Sequence, residues 1–339
     1  MHTQLPIDFR VTLVAKHPER LAQIRSLLVD SGLGMDSDIT LFIEAWADTA
    51  LVGCAGLAAN VIKCVAVDER LRGANLSARL LAEVENVALA RGDFHLFLCT
   101  RPCNKARFGR SGFWPIAQSG NNAVLMENTP QGIERYCRSL RQKRQPGDKV
   151  GGIVMNANPF TLGHRHLVEQ AASQCDWLHL FVVREDASFF PFCARLEMVR
   201  AGVAHLRNVT VHEGSQYIIS RATFPAYFLK ESGKVQQAWS EIDVLIFRNY
   251  IAPALGITHR FIGSEPFCAV THQYNQTLHA LLAGSVTVVE IPRIKMMGSA
   301  ISASEVRRLL KTQQFSRIRD IVPESTFAHL EMHYSAEVA

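Results

Sequence analysis

No stretch of the 339-residue sequence reaches the roughly 20 consecutive apolar residues that span a bilayer, and the opening MHTQLPIDFR carries no apolar signal core. A soluble, cytoplasmic protein without membrane contact is therefore expected. No lysine/arginine run marks a nucleic-acid stripe, and the formal charge of +5 is modest for this length. The short basic cluster Arg138, Arg141, Lys143 and Arg144 reads as part of a solvated connector. The eight cysteines form no CxxC pair and no regular framework, so reduced thiols are expected. Cys99 and Cys103 with His95 match no common zinc spacing. There is no internal repeat, no low-complexity tract and no carboxylate cluster of the kind that builds a metal cage, so no protein metal ligand is assigned.

What remains is a chain with 48% hydrophobic and 20% charged residues, longer than one core usually supports. The clearest composition break is NTPQGIERYCRSLRQKRQPGDK, polar, basic and interrupted by Pro130, Pro146 and Gly147, with one helix predicted over Gln131 to Gln142. It divides the chain into a domain over 1–128, a linker over 129–148 and a domain over 149–339. Before the break, apolar runs at 41–43, 51–57, 61–67 and 95–99 surround an amphipathic helix at 76–90, the pattern of an α+β or mixed sheet. After it, strands near 152–155, 177–183, 209–212, 260–263 and 286–290 alternate with helices near 164–174, 194–206, 241–254, 271–282 and 303–311. That alternation predicts a doubly wound parallel sheet, in which ligands bind beyond the carboxyl ends of the strands.

The first strand of the second half runs into Asn156-Ala-Asn-Pro-Phe-Thr-Leu-Gly-His164 and a helix follows at once. A strand, a tight polar turn and a helix aim backbone N–H groups and a helix dipole at an anion. Gly163 lets a phosphate approach the backbone, His164 can donate to a phosphate oxygen, and Thr161 can add its hydroxyl or merely cap the helix. Asn156, Phe160 and His166 complete this set of nucleotide-contact candidates. Near the other end, Ile301-Ser-Ala-Ser-Glu-Val-Arg307 opens a helix with Ser302 and Glu305 spaced as a capping box, and Ser304 and Arg307 in its first turns. Hydroxyls and free N–H groups with a guanidinium one turn on make a second phosphate site.

TLGH followed ~140 residues later by ISASEVR resembles the (H/T)xGH and ISSTxxR pair of the nucleotidyltransferase superfamily, with its HIGH-type, Rossmann-like fold, in which ATP is cleaved between its α and β phosphates. FFPFCARLEMVR, YIISRATFPAYFLK, IFRNYIAPALGI and FIGSEPFCAVTHQYN narrow the resemblance to the citrate lyase ligase family across nearly all of 149–325. The resemblance implies that acetate and ATP give acetyl adenylate and pyrophosphate. The acetyl group then passes to the thiol of a CoA-like prosthetic group on the citrate lyase acyl carrier subunit, releasing AMP and switching the lyase on. His164 would serve the α-phosphate, with Thr161 and Arg307 beside it as catalytic residues, and Ser302, Ser304 and Arg307 would hold the β and γ groups. Mg²⁺ would bridge the phosphates with mostly water and phosphate ligands. Arg195 and Arg221 are further anion candidates, for which a surface ion pair is the competing reading. Gly263, Glu265 and Pro266 are expected to shape the nucleoside pocket.

In the first half, VAVDERLRGANL followed by an amphipathic helix and later by FGRSGFWPIA resembles the GNAT acyl-CoA N-acetyltransferase fold. Arg70 and Gly73 match its RxxGx(G/A) phosphate-cradling loop, whereas Asn75 stands where Gly or Ala is usual. The domain is accordingly expected to recognise the CoA-like arm without acetylating amines. Two other readings stay open on the motifs: an adenylyltransferase forming a dinucleotide-type cofactor, and a GNAT acetyltransferase carrying a nucleotide-sensing domain.

Overall fold

The computed structural model describes residues 6–71, 75–184, 188–218, 224–225, 227–229, 231–265, 268–296 and 299–335. Gly73, Arg221 and Pro266, singled out above, lie outside the described residues. The chain packs as two units. One comprises Met1–Glu134 with Phe224–Ile242, the other Arg135–Thr223 with Asp243–Ala339. Each unit is thus built from two separated segments of the chain.

The first unit is a seven-stranded mixed sheet with strands β1 (Ile7–Leu13), β2 (Leu41–Ala47), β3 (Ala50–Ala58), β4 (Val61–Val67), β5 (Phe97–Thr100), β6 (Trp114–Ser119) and β7 (Ala123–Glu127), in the order β1-β2-β3-β4-β5-β7-β6. Every pairing is antiparallel except β4 with β5, which meet only at Val61↔Phe97 and Ile62↔Leu98 and then part. Helix α1 (Leu21–Asp30) covers one face with Ile24, Leu27 and Leu28, and α2 (Leu76–Ala90) covers the other with Leu76, Leu80, Leu81 and Val84. The i, i+4, i+8 spacing of those α2 residues puts them on one stripe, so the apolar period dictates which side is buried. Short helix α3 (Lys105–Gly109) follows β5, and α4 (Gly132–Arg141) occupies the stretch read as a helix within the linker.

The second unit holds five parallel strands, β8 (Val150–Met155), β9 (Trp177–Val182), β10 (Val209–Glu213), β11 (His259–Gly263) and β12 (Thr287–Ile291), in the order β10-β9-β8-β11-β12. The order reverses between β8 and β11, which makes the gap beyond their carboxyl ends the switch point where doubly wound sheets bind ligands. Helices α5 (Leu162–Ala172), α6 (Phe192–Val203), α7 (Ser232–Ile246), α8 (Ala252–Leu255), α9 (Ala269–Leu282), α10 (Ala303–Lys311), α11 (Phe315–Arg319) and α12 (Glu324–Tyr334) complete the chain, with α7 belonging to the first unit as far as Ile242 and a π turn at Phe247–Ile251 joining it to α8. β8 tolerates two consecutive glycines because they face crowded neighbours. A Cβ on Gly151 would lie 2.8 Å from both Leu178 and Phe261, and one on Gly152 would lie 3.2 Å from Phe247 and Ile257. Packing beneath β8 therefore demands glycine, whatever strand propensity prefers. The core under α5 joins Ile153, Met155, Val168, Leu180, Val199, Phe261, Val306 and Leu330.

Candidate functional site

Helix α5 begins where the sequence places it, and its start is organised by two side chains. Thr161 is extended (φ −113°, ψ 169°), 1% exposed, and its hydroxyl accepts from the His164 N–H at 3.4 Å. In return the Thr161 N–H donates to Nδ1 of His164 at 3.1 Å. This is a capping box in which an imidazole replaces the usual carboxylate. Because Nδ1 accepts, the ring proton is assigned to Nε2, which makes His164 a hydrogen-bond donor at that atom. Burial, reinforced by the nearby Arg293 guanidinium, lowers the pKa of His164 to about 4, so the imidazole is neutral at physiological pH. Phe160, fully buried, stacks on the ring with centroids 5.8 Å apart.

Helix α10 forms only half of the capping box expected from Ser302 and Glu305, because the Glu305 carboxylate is taken by Arg308 at 2.6 and 2.7 Å. Ser302 is its N-cap, its hydroxyl accepting from the Glu305 N–H at 3.2 Å. A Cβ built on Gly163 would lie 3.5 Å from the Ile301 carbonyl oxygen, so the two helix starts are neighbours. The backbone itself does not require glycine at 163, since that contact is of ordinary van der Waals length. Arg307 ties the two starts together. Its guanidinium donates to the Asn158 carbonyl at 2.5 Å and to the Ser304 hydroxyl at 3.1 Å.

Both helix starts open on one cavity of about 960 Å³ over the carboxyl ends of β8, β11 and β12. Of the residues proposed from sequence, Thr161, Gly163, His164, His166, Gly263, Glu265, Ser302 and Ser304 line it. Asn156, Phe160, Arg195 and Arg307 do not, and each has a structural reason. Arg195, an anion candidate, is fully buried, donating to the carbonyls of Phe190, Asn156 and Val183 and to Asn156 Oδ1 at 2.8 to 3.1 Å. It is a post that holds the turn after β8. Asn156 is spent in that contact and in a hydrogen bond to Ser188, and Phe160 stands in the core behind His164. Arg307 reaches the site only through Asn158 and Ser304.

The sequence reading missed Arg260, Arg293, Thr271, Tyr274 and Asn275, which also line the cavity. Arg293 lies two residues beyond β12, where the strand-end rule would have directed attention. It donates to the Ser264 carbonyl at 2.9 Å and pairs with the Glu265 carboxylate, which also accepts the Cys268 N–H at 3.1 Å. Glu265 thus anchors Arg293 and the start of α9. Among the described residues no group of three or more His, Cys, Asp or Glu side chains could hold a metal ion.

In the first unit, Arg70 is turned to solvent and bonded to Asp68 at 2.7 Å. Asn75 takes a left-handed conformation (φ 58°, ψ 15°) at the start of α2, a geometry asparagine tolerates better than most residues. Together with Leu76, Ser77, Arg107 and Arg110 it lines a cavity of about 490 Å³ at that helix start. A second cavity, of about 340 Å³, opens where β4 and β5 part, and Tyr227 and Phe228 form one of its walls. The Tyr227 hydroxyl donates to the Cys99 carbonyl at 3.0 Å, and Arg101 donates to the Phe228 carbonyl at 2.9 Å.

A parallel α/β sheet with two capped helix starts and a cationic pocket at its switch point defines a nucleotide-phosphate-binding enzyme domain. Residues 150–330 match the citrate lyase ligase C-terminal domain family. The [Citrate [pro-3S]-lyase] ligase of Klebsiella pneumoniae is 50% identical over 326 residues, covering 95% of each chain, and that of Escherichia coli strain K12 is 46% identical over 319 residues, covering 92% of this chain and 91% of its own. A solved Pseudomonas aeruginosa acyl-CoA N-acyltransferase is similar to 37% of this chain over all of its own length (17% identity, TM-score 0.33). The chain belongs to the citrate lyase ligase family and is an enzyme of the ligase class. No helix among the described residues is long and apolar enough to cross a membrane.

Proposed function

We propose that the enzyme activates acetate with ATP and acetylates the thiol of the CoA-like prosthetic group on the citrate lyase acyl carrier subunit. The observation that carries this reading is the convergence of Gly163 and His164 with Ser302 and Ser304 on one cavity. In the first step an acetate oxygen forms a bond to the α-phosphorus while the bond to the β-bridging oxygen breaks, giving acetyl adenylate and pyrophosphate. In the second the carrier sulfur attacks the acetyl carbon, AMP departs, and the thiol proton passes to solvent.

Positioning and charge stabilisation dominate such chemistry. Nε2–H of His164 donates to the α-phosphate as a neutral imidazole, so it stabilises developing charge without giving up a proton. The N–H groups and hydroxyls at the start of α10 hold the β and γ groups. Arg293, at the rim beside His164, adds positive charge where pyrophosphate leaves. Gly163 leaves the close approach to the α5 backbone to the ligand. With Glu265 committed to Arg293 and Cys268, Mg²⁺ would be held by phosphate oxygens and water. Thr161 and Arg307 position the donors, and Gly263 and Glu265 border the nucleoside.

Residues 149–339 carry the adenylation chemistry, 129–148 connect, and 1–128 recognise the CoA-like arm, with Phe224–Ile242 contributing to the packing of the latter. The cavity of Asn75, Ser77, Arg107 and Arg110 suits the phosphates of that arm, Arg107 and Arg110 replacing Arg70 as the cations. The substrates and carrier belong to the cytoplasm. Incubation with ATP, Mg²⁺, acetate and hydroxylamine tests the reading. Acetyl hydroxamate and pyrophosphate should appear together, and pyrophosphate released without acetate dependence would overturn it.

A further inference from the structure

One charged group in the large cavity is not used by the phosphate chemistry. Arg260 is 2% exposed, yet it lines the cavity, and neither Nε nor Nη1 has a hydrogen-bond partner among the described residues. Buried N–H groups of a charged side chain are rarely left without a partner, because the lost hydration goes uncompensated. The guanidinium packs over the Phe247 ring, 4.5 Å from its centroid. It also lies beside the Tyr274 hydroxyl, which itself donates to Asp243 at 2.6 Å.

Its place in the sheet separates it from the phosphate elements. Successive strand residues face opposite sides, so Arg260 and Phe261 diverge. Phe261 belongs to the core beneath α5, whereas Arg260 pairs in register with Gly152, the residue whose Cβ would meet Phe247. Arg260 is therefore on the face opposite α5, the face it shares with Val154 and Ile262, and all three line the cavity together with Tyr274. A buried cationic fork beside apolar Val154 and Ile262, with the neighbouring Tyr274 hydroxyl committed to Asp243, suits a small monoanion with an alkyl group better than a multiply charged phosphate chain.

We propose that Arg260 is the binding residue for the carboxylate of the acid that becomes adenylated, one carboxylate oxygen resting on the guanidinium while the other is presented to the α-phosphorus. The proposal builds on the acetate-activating reading above and adds the residue that selects a small carboxylate. The test uses full-length Arg260→Lys and Arg260→Gln variants, checked for folding by circular dichroism, and measures KM for acetate and for ATP in the hydroxamate assay. Loss of a charge-assisted hydrogen bond should raise KM for acetate by roughly 10- to 100-fold in Arg260→Gln, less in Arg260→Lys, with KM for ATP changed less than about twofold. A rise in KM for ATP with KM for acetate unchanged would assign Arg260 to the nucleotide phosphates, and no change in either would make it structural; both overturn the proposal. Should Arg260→Gln fail to fold, Arg260→Lys carries the measurement. Thermal melting without ATP separates this proposal from the wider reading. Acetate should raise the melting temperature of the wild-type protein more than that of Arg260→Lys even if no hydroxamate forms, and an equal response in both would refute the carboxylate site alone.

Discussion

The backbone N–H of Thr161 donates to Nδ1 of His164 at 3.1 Å, fixing both the ring's orientation and its tautomer. The donor offered to the cavity is therefore Nε2–H. His164→Ala should lower turnover by about 10²- to 10³-fold, the usual effect of losing one transition-state donor. His164→Gln, whose amide nitrogen can reach near the Nε2 position, should recover part of that loss, whereas His164→Asn should not. Pyrophosphate release under saturating ATP and acetate measures it, and wild-type turnover in His164→Ala would remove the residue from the reaction.

The same histidine sets a pH prediction. Burial lowers the pKa of His164 to about 4, so kcat/KM, which reports the free enzyme, should show its acid limb from this group near pH 4 rather than near 6.5. A limb at 6.5 that vanishes in His164→Gln would contradict this.

Stability should follow a related course. His179 and His212, buried on β9 and β10 with Nδ1 and Nε2 2.9 Å apart, are also depressed by burial, to about 4 and about 3. An unfolded chain takes up protons on these histidines below about 6.5, which the folded chain refuses, so the unfolded state gains. The melting temperature should be flat in this respect above pH 7, fall as pH drops from about 6.5 towards 4, and level off where the folded histidines finally protonate. Calorimetry across pH 8 to 4 checks the sign; a rise in stability over that descent would refute it.

Arg307 tests the coupling between the two helix starts. Arg307→Ala removes the hydrogen bonds to Asn158 and Ser304. Its effect, worth about 1.5–3 kcal/mol for a charged donor, should fall on KM for ATP with KM for acetate little changed. An acetate-specific effect would exchange the roles assigned here to Arg307 and Arg260.

Tyr227 tests the composition of the first unit. Its hydroxyl donates to Cys99, its carbonyl accepts from the Gly34 N–H at 2.7 Å, and its ring packs with the cluster of Ile24, Leu28, Phe42 and Cys64. Tyr227→Phe should cost about 1 kcal/mol and Tyr227→Ala about 3–5 kcal/mol of stability, read by urea denaturation. An unchanged midpoint in Tyr227→Ala would mean that residues 224–242 are dispensable to that unit.

Local chemistry made much of the molecule legible. The apolar period gave α2 its limits at 76 and 90, and Ser302 and Glu305 marked the start of α10. The alternation of apolar runs with amphipathic segments implied the parallel sheet, whose strands β8 to β12 lie within a residue or two of their expected limits. Strand β1 escaped because Asp8 and Arg10 interrupt its apolar run at a half-exposed sheet edge. Helix α11 escaped because its five residues, two of them arginine, are too few to show an apolar period.

The sequence by itself therefore determined the two folds, the capped helix starts and the family, because caps, periods and motifs act over a few residues. Tertiary structure alone decided which chemically plausible residues face the ligand. Arg195, read as an anion site, is satisfied by backbone carbonyls, while Arg260, inside an ordinary-looking strand, keeps Nε and Nη1 without a partner among the described residues at the cavity wall. Both are arginines in apolar surroundings. The difference lies in which carbonyls the fold brings within hydrogen-bond reach, and that is settled by segments tens of residues away.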